Sequence, residues 1–218
     1  MAILDSFVLP VLLGVLSSLL VVMFVEYMKK PALTMDVATP DDQNHGPDHP
    51  AREMRCLRVK VTNKDLHRTL RWMRRETAEH CRADVRFEFL EGAPVFAATM
   101  NGRWTASPEP IPMEAQIGET KFQVWDPNRM AMASEMSIPA GETEELDVAV
   151  RCDSDAEAYG WNNQSYQPPF WKNPRWKLDK GRYRVRVTIR SAGSKVERLF
   201  HMNNGALRQD FQLQLKPE

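Results

Sequence analysis

The chain has 218 residues, with 29 Lys and Arg against 29 Asp and Glu, 43% hydrophobic residues and three cysteines. One or at most two domains fit that length, the balanced charge argues against a protein that coats nucleic acid by bulk electrostatics, and the apolar content excludes a largely disordered chain. Because the mean hydropathy is −0.47 although the first thirty residues are very apolar, the remainder must be an unusually polar soluble part.

The first element in chain order is a predicted transmembrane helix. Phe7 to Val25 is nineteen residues without a charge, and at about 1.5 Å per residue this nearly spans the ~30 Å hydrocarbon core. A cleavable signal peptide would want a basic leading region and a shorter apolar stretch; here Asp5 precedes the span and Glu26-Tyr27-Met28-Lys29-Lys30 follows it. The flanking lysines place the N-terminus outside and the C-terminal part in the cytoplasm by the positive-inside rule. Three cysteines with no close pair suit a reducing compartment, and the sequon at Asn163-Gln164-Ser165 would matter only if the domain faced outward. Within the span, Gly14 and Ser18 form a small-xxx-small pair with Ser17 beside it, a face through which two helices can approach closely.

The remainder divides into a juxtamembrane linker (31–54) and a β-domain (55–218), behind the anchor (1–30). Asp36 to Glu53 is rich in Pro, Asp, Asn and His, without strand or helix periodicity; its His45, Asp48 and His49 are metal-capable side chains that nothing pre-organises, so no metal site is expected. Cys56 to Val61 alternates apolar and charged residues as a strand does. From Lys64 to His80 the period changes: Leu66, Leu70, Met73 and Thr77 are spaced for one helical face, with Arg68, Arg71, Arg74 and Arg75 mostly off it, so one inserted helix of three to four turns is expected. A second alternating strand runs from Ala83 to Leu90, and further strands are expected at Val95–Thr99, Thr120–Val124, Glu145–Val150, Arg182–Ile189, Val196–Phe200 and Asp210–Leu215. Many short strands between Pro, Gly and Asn turns predict a mainly β, antiparallel sandwich or barrel.

The strand beginning Gly181-Arg182-Tyr183, with Val185, Val187 and Ile189 facing inward, resembles the tyrosine corner of immunoglobulin-like β-sandwiches. The resemblance implies that Tyr183 bonds back to the upstream backbone. Val185 stands where antibody domains carry the second Cys of their inter-sheet disulfide, so the core must hold the fold.

Two stretches are candidate binding regions. Between Arg52 and Arg86 there are eleven Lys or Arg against five acids, and a face carrying Arg68, Arg71, Arg74 and Arg75 beside a cytoplasmic leaflet would be drawn to anionic lipid headgroups or a small anionic ligand. The segment Tyr159 to Trp176 holds six aromatics, amides, cations and no acid; Trp161, Tyr166, Trp171 and Trp176 either form a ligand or partner surface or cover the end of the sandwich. Cys81 follows His80, which could activate a thiolate, although a buried Cys opening a strand is the commoner arrangement.

No phosphate-binding loop, dinucleotide fingerprint, zinc-helix motif or nucleophile elbow occurs, and neither catalytic residues nor a cofactor is expected. The sequence therefore points to a single-pass, membrane-anchored interaction or scaffold protein, partnered by the bilayer and by a second copy or another membrane or cytoplasmic protein. The alternatives are a nucleotide-sensing membrane effector and an envelope-facing glycan-binding module.

Overall fold

The computed structural model describes residues 2–44, 53–70, 72–109, 112–125, 134–152, 155–166 and 172–216. It is mainly β, with 49% of residues in strands and 19% helical. Helix α1 (Ala2–Lys29) contains the apolar span, and none of the stretch Pro10–Lys29 is buried in the protein. The strands are β1 (Leu33–Val37), β2 (Asp41–Asn44), β3 (Glu53–Asn63), β4 (Ala78–Glu88), β5 (Met100–Asn101), β6 (Arg103–Trp104), β7 (Pro112–Ile117) and β8 (Thr120–Trp125). They continue with β9 (Glu135–Ile138), β10 (Thr143–Cys152), β11 (Ala158–Gly160), β12 (Lys177–Leu178), β13 (Gly181–Ser191), β14 (Ser194–Asn204) and β15 (Gln212–Leu215).

All strand pairings among the described residues are antiparallel. One sheet runs β1-β3-β10-β11-β12, with β2 also on β3 and β6 on β10; the other runs β15-β14-β13-β4-β5, with β9 on β4. The hairpin β7-β8 forms a separate two-stranded sheet. Alternation in β3, β4 and β13 directs Leu57, Val59, Val61, Val85, Phe87, Val185, Val187 and Ile189 into one core shared by both large sheets. Trp104, fully buried, donates its indole N–H to the Cys81 carbonyl at 3.1 Å, tying the first sheet to the second. The Tyr183 hydroxyl donates to the Asp179 carbonyl at 2.7 Å, the backward bond that the corner pattern implies.

Three expectations are corrected. Residues 33–44 are not a linker: β1 and β2 both pair with β3. Leu33 and Met35 do alternate into the core, but β2 is held by charge, with Arg55 bidentate on Asp42 and Arg58 on Asp41 at 2.8 Å, so it carries no apolar signature. The metal-capable trio His45, Asp48 and His49 lies outside the described residues.

The helix expected from Lys64 to His80 is instead a loop with one 3-10 turn, Arg68–Leu70, before β4 begins at Ala78. Tertiary partners capture the backbone that a helix would have used: the Lys64 amide donates to the Ala32 carbonyl and the Glu76 amide to the Lys29 carbonyl. Leu66 and Met73 are buried, so two of the four residues read as a helical stripe do reach the core, one at a time. Arg71 lies outside the described residues.

Val95–Thr99 is not a strand either; only a bridge between Glu88 and Pro94 precedes β5. Phe96 is spent on aromatic packing, edge-on to Phe87 at 5.5 Å and to Trp176 at 5.2 Å.

Candidate functional site

The junction between α1 and the β-domain is short and densely bonded. Helix α1 ends at Lys29 and β1 begins at Leu33. Asn63, fully buried at the end of β3, accepts from the Ala32 amide at 3.1 Å and donates to the carbonyls of Glu76 (2.9 Å) and Ile138 (3.0 Å). One amide side chain thus fixes the helix exit, the 64–77 loop and β9 together. The Arg75 guanidinium donates to the Lys30 carbonyl at 2.5 Å, and the Glu76 amide reaches Lys29 at 2.8 Å.

Around this junction stands the described part of the basic run. Arg68 and Arg74 are exposed, whereas Arg75 is committed to the backbone. Trp72 is 78% exposed, more than Tyr27 of the bare helix at 71%. Beside them lies a groove of about 340 Å³ lined by Asp65, Leu66, Met73, Arg74, Arg75 and Ala140. Trp72 lies outside the expected helical stripe; an indole set inside an arginine run, Arg71-Trp72-Met73-Arg74, is the signal that would have found it.

A second charged region lies inside the first sheet. Asp147, 4% exposed, accepts from Arg58 Nε at 3.0 Å and from the Thr105 hydroxyl at 2.8 Å, with the 2% exposed Arg103 at 3.9 Å. Arg103 also donates to Asn163 Oδ1 and the Ser107 carbonyl and lies over the Tyr166 ring at 4.9 Å. Burial, the largest influence, pushes the Asp147 carboxyl above the usual carboxylate range against the pull of Arg58, Thr105 and Arg103. This cluster ties the 158–166 region to β10 and reads as architecture.

The aromatic segment is for the most part core. Trp161, Tyr166 and Trp176 are all buried, Trp161 and Tyr166 edge-on at 5.4 Å, with Trp176 donating to Gln164 Oε1 at 2.9 Å. Trp176 belongs to the main core and Trp161 and Tyr166 to a second buried cluster, and Trp171 lies outside the described residues. The groove beside them, of about 410 Å³, is lined by amides (Asn101, Asn162, Asn163, Gln164) with Arg175 and Trp176.

The outer face of the second sheet carries arginines that sequence reasoning assigned only to a strand. Arg182, Arg184, Arg186 and Arg190 alternate with the buried Tyr183, Val185, Val187 and Ile189, and Arg186 sits opposite Arg86 and Arg190 opposite Arg82. Acids interleave them: Glu88 meets Arg184 and Arg186, Glu197 meets Arg186, Asp84 meets Arg190 and Glu135 meets Arg82. The Arg186 guanidinium holds the Glu197 carboxyl below its ordinary range.

In α1, Gly14 has open space where a Cβ would point, and the hydroxyls of Ser17 and Ser18 both donate to the Gly14 carbonyl, at 2.9 and 2.8 Å. Among the described residues no three His, Cys, Asp or Glu side chains gather as metal ligands would. Cys56, Cys81 and Cys152 are buried and in no disulfide; burial pushes the thiols of Cys56 and Cys81 up to about 12 and about 11. His80 points instead to Glu135, at 3.0 Å. Compared with known proteins, the chain matches no family model and no curated relative.

Proposed function

We propose that this chain is a single-pass, membrane-anchored interaction module: α1 spans a bilayer, and an immunoglobulin-like β-sandwich held against the cytoplasmic leaflet recruits a partner by binding rather than catalysis. The observation that carries the reading is α1 itself, predominantly apolar over Pro10–Lys29 with none of that stretch buried, yet hydrogen-bonded at its end into the β-domain. Twenty residues at about 1.5 Å match the ~30 Å core, and an apolar surface of that extent left in water is not a stable arrangement. Lys29 and Lys30 at the exit support the inward orientation. The open face at Gly14 and Ser18 supports association of two such helices; Gly14→Leu is expected to abolish cross-linked dimers in membranes, and dimers that survive it place the interface elsewhere.

The test is extraction and topology of the full chain in native membranes. The chain is expected to stay with the pellet in alkaline carbonate and to lose its β-domain to protease only when the cytoplasmic face is exposed. Release by carbonate, a mature N-terminus near residue 30, or digestion from outside overturns the reading.

The nucleotide-sensing reading draws on the outer face of the second sheet, where Arg86 and Arg182 are exposed. It requires that a nucleotide raise the melting temperature of the parent and not of an R86E/R182E variant.

A further inference from the structure

We infer that the 64–77 loop is a second membrane contact, seating Trp72 in the interfacial layer of the bilayer and Arg68 and Arg74 against anionic lipid headgroups. The inference rests on the reading that α1 spans the membrane.

The argument begins with where the loop is held. Its first residue, Lys64, donates to the Ala32 carbonyl, and its last turn is fastened to the final residues of the helix through Glu76 to Lys29 and Arg75 to Lys30. Both ends of the loop therefore lie within one hydrogen bond of the 29–32 segment, where the chain leaves the hydrocarbon. Trp72 is four residues from Glu76, so its backbone stands at most ~14 Å from that anchor even if fully extended.

The exposed residues are those an interface takes. Indoles concentrate at the headgroup level because the ring is apolar and the N–H is not, and Trp72 is 78% exposed, with no described element packed over it. A free-standing indole of that exposure in water is unusual, since Trp is on average a highly buried residue. Arg68 and Arg74 flank it, both exposed and neither paired with an acid among the described residues. Cations held near an anionic leaflet are drawn to its headgroups. Lys29 and Lys30 extend the same basic collar from the helix side. The groove lined by Arg74 and Arg75 adjoins the helix exit, because Arg75 both lines it and bonds Lys30. On the outer arginine-bearing sheet face, by contrast, four of the arginines, Arg82, Arg184, Arg186 and Arg190, are already matched to Glu135, Glu88, Glu197 and Asp84.

Helix α1 contains no tryptophan, and of the chain's six tryptophans Trp104, Trp161 and Trp176 are buried in the β-domain; with Trp125 and Trp171 replaced by Phe in the parent and in every variant, lipid quenching of indole fluorescence reports on Trp72. The full-length chain is reconstituted into nanodiscs of phosphatidylcholine alone or with 30% phosphatidylglycerol, with acyl chains brominated close to the headgroup. Quenching of the parent is expected, with most of it lost in W72F. An R68E/R74E variant is expected to lose quenching in the anionic discs selectively. Quenching unchanged by W72F, or absent from the parent, overturns the inference while leaving the anchor standing. Equal quenching of parent and R68E/R74E in anionic discs removes the headgroup half of it. A chain that fails to enter the discs overturns the anchor reading and this inference with it.

Discussion

The Glu76 amide donates to the Lys29 carbonyl across 2.8 Å, so a residue of the first long β-loop caps the exposed end of the apolar helix. The last carbonyls of a helix have no partner within it, and here the β-domain supplies one.

Asn63 is the residue on which that junction depends. Asn63→Ala removes bonds to Ala32, Glu76 and Ile138 and leaves those groups short of partners, at about 1–3 kcal/mol for a buried polar group left unsatisfied. The expected outcome is a melting temperature lower by several degrees and new protease cleavage near residues 30–32 and 64–77, with membrane retention unchanged. An Asn63→Ala protein as protease-resistant as the parent there would show that the junction is held by other means.

Asp147 makes the fold pH-dependent in a direction that can be worked out. Its folded value is raised by burial, so the contribution of this group is full below the unfolded value of about 3.9 and is lost as pH rises through the folded value. Ionised Asp147 therefore costs stability at neutral pH. Compared with Asp147→Asn, which cannot titrate, the parent should gain melting temperature as pH falls from 7 toward 4. A difference between the two proteins that is flat with pH, or of opposite slope, contradicts this.

The Tyr183 corner should be worth a single good hydrogen bond. Tyr183→Phe keeps the ring in the core and removes only the donation to Asp179, a loss of about 1 kcal/mol, or roughly 2–4 °C in a domain of this size. Thermal melting of the two proteins side by side measures it.

The three cysteines should be silent in the native protein. With the Cys56 and Cys81 thiols raised to about 12 and about 11 and Cys152 buried, the thiolate that reacts is scarce and screened. Maleimide is expected to label none of them until denaturant is added, whereupon all three react. Rapid labelling of Cys81 in the native state would restore the idea of its activation by His80.

The sequence displayed the β-domain wherever one face of a strand is buried and the other wet. Strands β3, β4 and β13 alternate and were legible, whereas β10 is buried throughout from Leu146 to Cys152; β2 is pinned by Arg55 and Arg58 through charge, and no apolar period announces that. The error at 64–80 has a specific cause: Leu66 and Met73 are spaced as a helical stripe, but they are buried by a loop whose backbone bonds go to Ala32 and Lys29, partners distant in sequence. The aromatic segment failed differently, since composition marks Trp161, Tyr166 and Trp176 as important without distinguishing a binding platform from a plug. Arg182, Arg184 and Arg186 were visible as alternation, and only the register against β4 shows that Arg186 faces Arg86.

The missing linker sets a fixed height. A domain on a flexible leash sweeps a volume whose radius grows with the leash, and its partners are diluted accordingly. Here β3, 11 residues long, starts its return from the helix exit with Asn63, and at about 3.3 Å per residue no point along it stands further than ~36 Å from that exit. Whatever the β-domain holds is thereby confined to a shell one domain deep around the end of α1, with rotation about the helix axis transmitted directly to it.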